Sequence, residues 1–97
     1  MHDVFVLYNH PDRPQEFDAH YRDVHSPLVN ELPKLREFTW GKPSEDDRSY
    51  YVVARLTYDS AADAAESMAS PAGQKSVDDL ANFAGAGVTV LNTTRAG

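Results

Sequence analysis

The chain has 97 residues and no cysteine, which is enough for one hydrophobic core, too short for two, and rules out disulfides, thiolate nucleophiles and cysteine metal sites. A net charge of -6 and a pI near 5.0 argue against nucleic acid or an anionic membrane as partner, since both are bound largely through Lys and Arg on phosphate. The opening Met1-His2-Asp3-Val4-Phe5-Val6-Leu7 lacks the basic flank and long apolar stretch of a secretory signal, and no later run has the length to span a bilayer, so the cytoplasm is the expected location.

Residues 4–8 are apolar, β-branched or aromatic and stop at Asn9-His10-Pro11-Asp12, which predicts a buried strand and a turn. Pro14 suits a first helical turn and Glu16 suits the positive end of a helix; the helix should run to about residue 25, where Ser26-Pro27 disturbs it. At about 100° per residue, Phe17, Tyr21, Val24 and Leu28 form one stripe, with His25 on its edge beside Tyr21, while Asp18, Arg22 and Asp23 point to solvent. Residues 35–40 predict a second strand ending at Gly41-Lys42-Pro43, and Ser44-Glu45-Asp46-Asp47-Arg48 a polar connection. The β-branched and aromatic run 49–58 predicts a third strand. Within it Tyr50, Val52, Ala54 and Leu56 share one face and Tyr51, Val53, Arg55 and Thr57 the other.

Ser60 with Asp63 resembles a helix N-cap, and Ala61, Ala64, Ala65 and Met68 give the helix that follows a small packing face. Ser70-Pro71 restarts it, Val77, Leu80 and Ala81 continue the apolar stripe with Phe83 close by, and Gly85-Ala86-Gly87 releases the chain into a last strand at 88–91. The order β-α-β-β-α-β predicts an α+β, ferredoxin-like split βαβ fold, a four-stranded antiparallel sheet with helices on one face. No linker or low-complexity tract divides the chain, so residues 1–97 read as one domain. Both faces of the 49–58 strand carry apolar residues, so the face away from the helices needs cover; a second copy of the sheet is the simplest, making the expected state a homodimer.

Several runs carry a family resemblance. Glu16-Phe17, Tyr21, His25-Ser26-Pro27-Leu28 and Leu32-Pro33-Lys34-Leu35-Arg36, then Ser70-Pro71, Gly73-Gln74 and Asp79-Leu80-Ala81-Asn82-Phe83-Ala84, resemble the EthD domain family of the dimeric α-β barrel superfamily. The resemblance implies sheet-to-sheet pairing of two protomers into one barrel. Methylmuconolactone isomerases and polyketide cyclases of this superfamily are similar in placing a histidine acid/base at the end of the first helix, where His25 stands. That implies a cofactor-free isomerase, cyclase or dehydratase acting on a cyclic or aromatic carbonyl compound. Residues 41–49 match no family pattern, which leaves specificity open.

Imidazole titrates near neutrality, so His25 is the leading catalytic candidate; burial beside Tyr21 and Leu28 would favour its neutral form, and a carboxylate such as Asp79, if brought close, would oppose that and fix the tautomer. Against this stands a structural His25, bonded to a backbone carbonyl at the helix end. Tyr21 is either a donor to a substrate oxygen or core. Tyr8, Trp40 and Phe83, with Tyr50 and Tyr51, are candidates to line a pocket for a ring-shaped ligand, with core packing as the alternative for each, and Arg55 is a candidate ligand contact. His2, His10 and His20 are separated from one another and from His25 by spacings that match no metal motif; His20 falls on the other flank of the helix, and a scattered surface role for each, with no metal, is expected. A haem would need Arg55 or Arg36 for its propionates, and a cofactor-free oxygenase would rely on Asn9, Trp40 and Arg55, but no motif asks for either, so no cofactor is expected. Nucleophile elbows, phosphate loops and paired carboxylates are missing from the sequence. A small-molecule enzyme and a non-catalytic accessory or ligand-binding protein of a degradation pathway remain as the two classes.

Overall fold

The computed structural model describes residues 1–44 and 49–97; residues 45–48 of the expected polar connection lie outside the described residues. Its sheet is built from β1 (His2–Tyr8), β2 (Glu37–Gly41), β3 (Val52–Tyr58) and β4 (Val88–Thr94) in the order β2-β3-β1-β4, all neighbours antiparallel. This is the α+β ferredoxin-like arrangement. β1 and β3 are central because they carry the most apolar runs, and β2 and β4 form the edges. Val4 opposes Leu56, Val6 opposes Ala54 and Tyr8 opposes Val52, while Trp40 sits across from Ala54 and Val90 across from Val6. Directly opposed residues share a face, so all of these point to the side that the helices cover. Among the described residues no helix is long and apolar enough to cross a membrane.

The first helical region comprises α1 (Pro14–His20), a π-helical turn (Tyr21–His25) and α2 (Ser26–Asn30). It runs on past Ser26-Pro27, where an end at residue 25 was expected. A proline ring clashes with the carbonyl four residues back in an α turn, and the wider turn ahead of Pro27 relieves that clash. The second region is α3 (Ala61–Ala69) followed by α4 (Pro71–Phe83). Both starts are capped as expected: Ser60 Oγ accepts from the Asp63 N–H at 3.1 Å, and Ser70 Oγ from the Gly73 N–H at 3.1 Å.

The buried faces of α3 and α4 differ from the expected apolar stripes. α3 buries Ala64 and Ser67 and leaves Ala61 and Ala65 exposed; α4 buries Gly73, Ser76 and Asp79 and leaves Val77 and Ala81 exposed. Close backbone approach decides this. A Cβ on Gly73 would run into the carbonyls of Ser67 and Met68, so only glycine fits the corner, and the phase it fixes turns Asp79 inward. A hydrogen bond between Tyr58 Oη and Ser67 Oγ, at 2.8 Å, pins α3 to the sheet.

β4 extends beyond 91 to Thr94, because Asn92 and Thr94 pair with the buried His2, Nε2 to Asn92 Oδ1 at 3.1 Å and Nδ1 to Thr94 Oγ1 at 3.2 Å. The face opposite the helices carries half-buried Phe5, Leu7 and Val53 and exposed Leu91, together with an Arg55–Glu37 pair and a polar knot at Asp3. There Arg95 and Thr57 donate to Asp3, at 2.8 and 2.6 Å, and hold its carboxyl down at about 2. Tyr51 was expected on this face. It precedes β3, so the strand's alternation does not govern it; its ring packs edge-on against Phe17, 5.2 Å between centroids, and its hydroxyl donates to Asp18 at 2.9 Å.

Candidate functional site

The π turn determines the site. The Ser26 N–H reaches back five residues to the Tyr21 carbonyl, and the slower rotation shifts every residue after it. Phe17, Tyr21, His25 and Val29 now share the buried face, Val24 is turned out to 43 % exposure, and Leu28 is only half-buried. In an α-helix His20 and His25 would lie about 140° apart; here both address one carboxylate. π turns of this kind are frequent at functional sites.

That carboxylate is Asp79 of α4. His25 Nδ1 stands 2.9 Å from Asp79 Oδ2, and His20 Nε2 lies 2.8 and 3.0 Å from the two oxygens. Asn82 Nδ2 donates to Oδ1 at 3.0 Å. Burial pushes the Asp79 carboxyl up, but the hydrogen bonds from Asn82, His20 and His25 outweigh it and bring the carboxyl below its ordinary value. An ionised Asp79 requires the proton of His25 on Nδ1, which leaves the Nε2 lone pair free. Burial holds His25 below 6.5 against the opposing pull of Asp79, so the neutral ring is favoured.

Nε2 faces the Tyr8 hydroxyl at 3.5 Å, the outer limit of a hydrogen bond. The Tyr21 hydroxyl lies close enough to Tyr8 for the two to interact electrostatically, yet it is fully buried and has no partner of hydrogen-bonding geometry among the described residues. Burial raises both phenols far above their ordinary range, so both stay protonated donors. Tyr8, Tyr21 and His25 line a cavity of about 100 Å³ whose other walls are Val4, Val6, Val29, Leu32, Phe38, Leu56, Met68 and Leu80, with Ser76 as a further polar side chain. It opens beside Val77 and Val90, exposed at 48 and 51 %.

Tyr8, Tyr21, His25 and Asp79 are therefore brought together. Phe83, expected to line the ligand pocket, is not among the residues that line this cavity; its ring lies 4.7 Å from His25 and 5.1 Å from His20 and borders a separate open cleft of about 700 Å³. Trp40 packs on Tyr21 at 4.6 Å from outside the cavity and is 39 % exposed. Arg55 is not brought to the cluster: it points to the opposite face of the sheet and donates to Glu37 at 2.6 Å. Arg36 pairs with Asp59, and Asn9 donates to the Ala86 carbonyl beside Gly87, whose φ of +104° needs glycine. The Asn9, Trp40 and Arg55 set thus does not converge.

His20 corrects the sequence reading, which placed it on the other flank as a scattered surface residue; its ring is only 25 % exposed and shares Asp79 with His25. The five-residue spacing ahead of Pro27 was its one signal. Asn82 was also missed, although three residues after Asp79 on a helix is a contact position.

The sequence model of the EthD domain matches residues 10–87. The chain belongs to the EthD family. It is 44 % identical over 96 residues to an uncharacterized 11.0 kDa protein in the thcB-thcC intergenic region of Rhodococcus erythropolis, a match covering 96 % of this chain and 93 % of that relative. Its fold is similar to that of an EthD-family protein from Bacillus halodurans, with a TM-score of 0.90, 28 % identity and 98 % of each chain covered. It also resembles a hydroxynitrile lyase from Passiflora edulis, with a TM-score of 0.75, 19 % identity, and 99 % of this chain and 95 % of that one covered. At that identity the likeness concerns the fold alone.

Proposed function

We propose that this EthD-family protein is a cofactor-free isomerase, cyclase or dehydratase in which His25 moves a proton on a small cyclic or aromatic carbonyl compound. The observation that carries the reading is an imidazole held at Nδ1 by Asp79, with its Nε2 facing the Tyr8 hydroxyl at the wall of an apolar cavity, where a substrate displaces that long contact. Nε2 removes a proton from the carbon beside the carbonyl, and the oxygen, as it gains charge, accepts a hydrogen bond from Tyr21 or Tyr8. The imidazolium then returns that proton to a different carbon, or to a departing hydroxyl that leaves as water. The unpartnered Tyr21 hydroxyl supports this, since a ligand oxygen would satisfy it. A cavity of about 150 Å³ holds benzene, so the space of about 100 Å³ takes the reacting end of a substrate, with the remainder extending past Val77 and Val90.

The other member of the EthD-family pair is proposed to be a second copy of the chain, against the sheet face bearing Phe5, Leu7, Val53 and Leu91. A non-catalytic carrier is the second reading, favoured by the Tyr8 hydroxyl that already occupies Nε2. A panel of lactones and phenolic ketones, scored by thermal unfolding and then by turnover, tests both. A ligand of the folded state raises the midpoint; turnover supports the enzyme, binding without turnover the carrier, and no shift with any member counts against both.

A further inference from the structure

Asp79 carries one negative charge and is addressed by two imidazoles, His20 at 25 % exposure and His25 at 5 %. His20 and Phe83 border the wide cleft beside Asp12 and Glu16, whereas His25 borders the apolar cavity lined by Tyr8 and Tyr21. We propose that His20 is a positioning residue that governs the protonation of His25 through the Asp79 carboxylate the two rings share. One carboxylate neutralises one imidazolium. Both rings draw on the same carboxylate, so a proton held by one leaves the other to be charged without a counter-ion in an apolar site, which favours the neutral form of the buried His25.

The groups facing His25 support this assignment. From α4 it meets Asp79, from β1 the Tyr8 phenol, and from its own helix Tyr21 and, through the carboxylate, His20. Both phenols are uncharged, and the charge of His20 opposes protonation of His25. On the cleft side His20 is flanked by Asp12, Arg13 and Glu16, the last two paired with each other at 3.5 Å. The proposal rests on His25 being the acid/base for its functional weight, but its test reads the ring itself and needs no substrate.

The test is an NMR titration of histidine ring signals in the full chain, wild type against His20→Gln. Glutamine keeps a donor for Asp79 without a titratable ring. The His25 midpoint is expected to rise on the order of one pH unit, as the carboxylate then serves His25 alone. In an Asp79→Asn background the same substitution is expected to leave the midpoint unmoved. An unchanged or lowered midpoint in His20→Gln overturns the proposal, and so does a rise that persists without the carboxylate. His20→Asn replaces the first variant should it fail to fold. Absence of turnover would count against the catalytic reading alone.

Discussion

Asp79 Oδ2 lies 2.9 Å from His25 Nδ1, a hydrogen bond between α4 and the π turn that joins the two helical regions directly above the sheet. The bond orients the ring and also helps to hold the helices together. Replacing Asp79 by alanine takes the common acceptor from His20, Asn82 and the buried His25, and should lower stability by about 1–3 kcal/mol. Denaturant unfolding checks this. A neutral variant would mean that water or a rearranged ring satisfies those donors.

Acid should destabilise the protein in two stages. The folded value of His25 lies below 6.5, so between the two values the unfolded chain binds more protons and stability falls as pH drops through that window. Asp79 and Asp3 are held below 3.8 in the folded state, Asp3 at about 2, so their contribution is present above 3.8 and is lost as pH falls below it. Thermal midpoints measured across the acid range should show both limbs, and His25→Gln should remove the upper one. A midpoint that is flat down to the carboxylate range would contradict the depressed histidine.

Gly73→Ala should destabilise by about 1–3 kcal/mol through overpacking, because the new methyl meets the backbone carbonyls of Ser67 and Met68 at the α3–α4 corner. The helix phase that presents Asp79 depends on that corner, so the His25 ring signals should shift as well. A variant of unchanged stability and unchanged ring signals would sink this account of the corner.

Sedimentation should find a homodimer, and Leu91→Asp, which charges the outer sheet face at a residue 47 % exposed in the single chain, should yield a folded monomer. A wild type that is monomeric at micromolar concentration would contradict the proposed pairing.

The strands were legible because alternation and β-branched content mark them: Val52, Ala54 and Leu56 fall on the buried face as their spacing requires. Helix phase was not. Counting at 100° per residue set Val24 inside and His25 on the edge, away from His20; the π turn moves Val24 out and brings His25 round to the buried face, where it shares Asp79 with His20. In α4 an apolar count selects Val77 and Ala81, whereas close approach buries Gly73, Ser76 and Asp79, small or polar residues that no hydropathy pattern marks. Asp79 was named only as a conditional partner of His25, since its place depends on a contact between residues 54 apart in sequence. Arg55 was drawn to the site by its chemistry, and strand alternation alone could have turned it away.

His25 is nearly fully buried and bonded to Asp79, so truncation to alanine would disturb packing along with chemistry. His25→Gln keeps much of the volume and a donor for Asp79 while removing the base. The most direct test compares this variant with the wild type on whichever carbonyl compound of the panel is turned over, with thermal unfolding measured alongside. The account predicts a loss of kcat on the order of 10²–10⁴-fold with a cooperative fold retained. Undiminished kcat in a folded His25→Gln would contradict it and leave the histidine a structural residue.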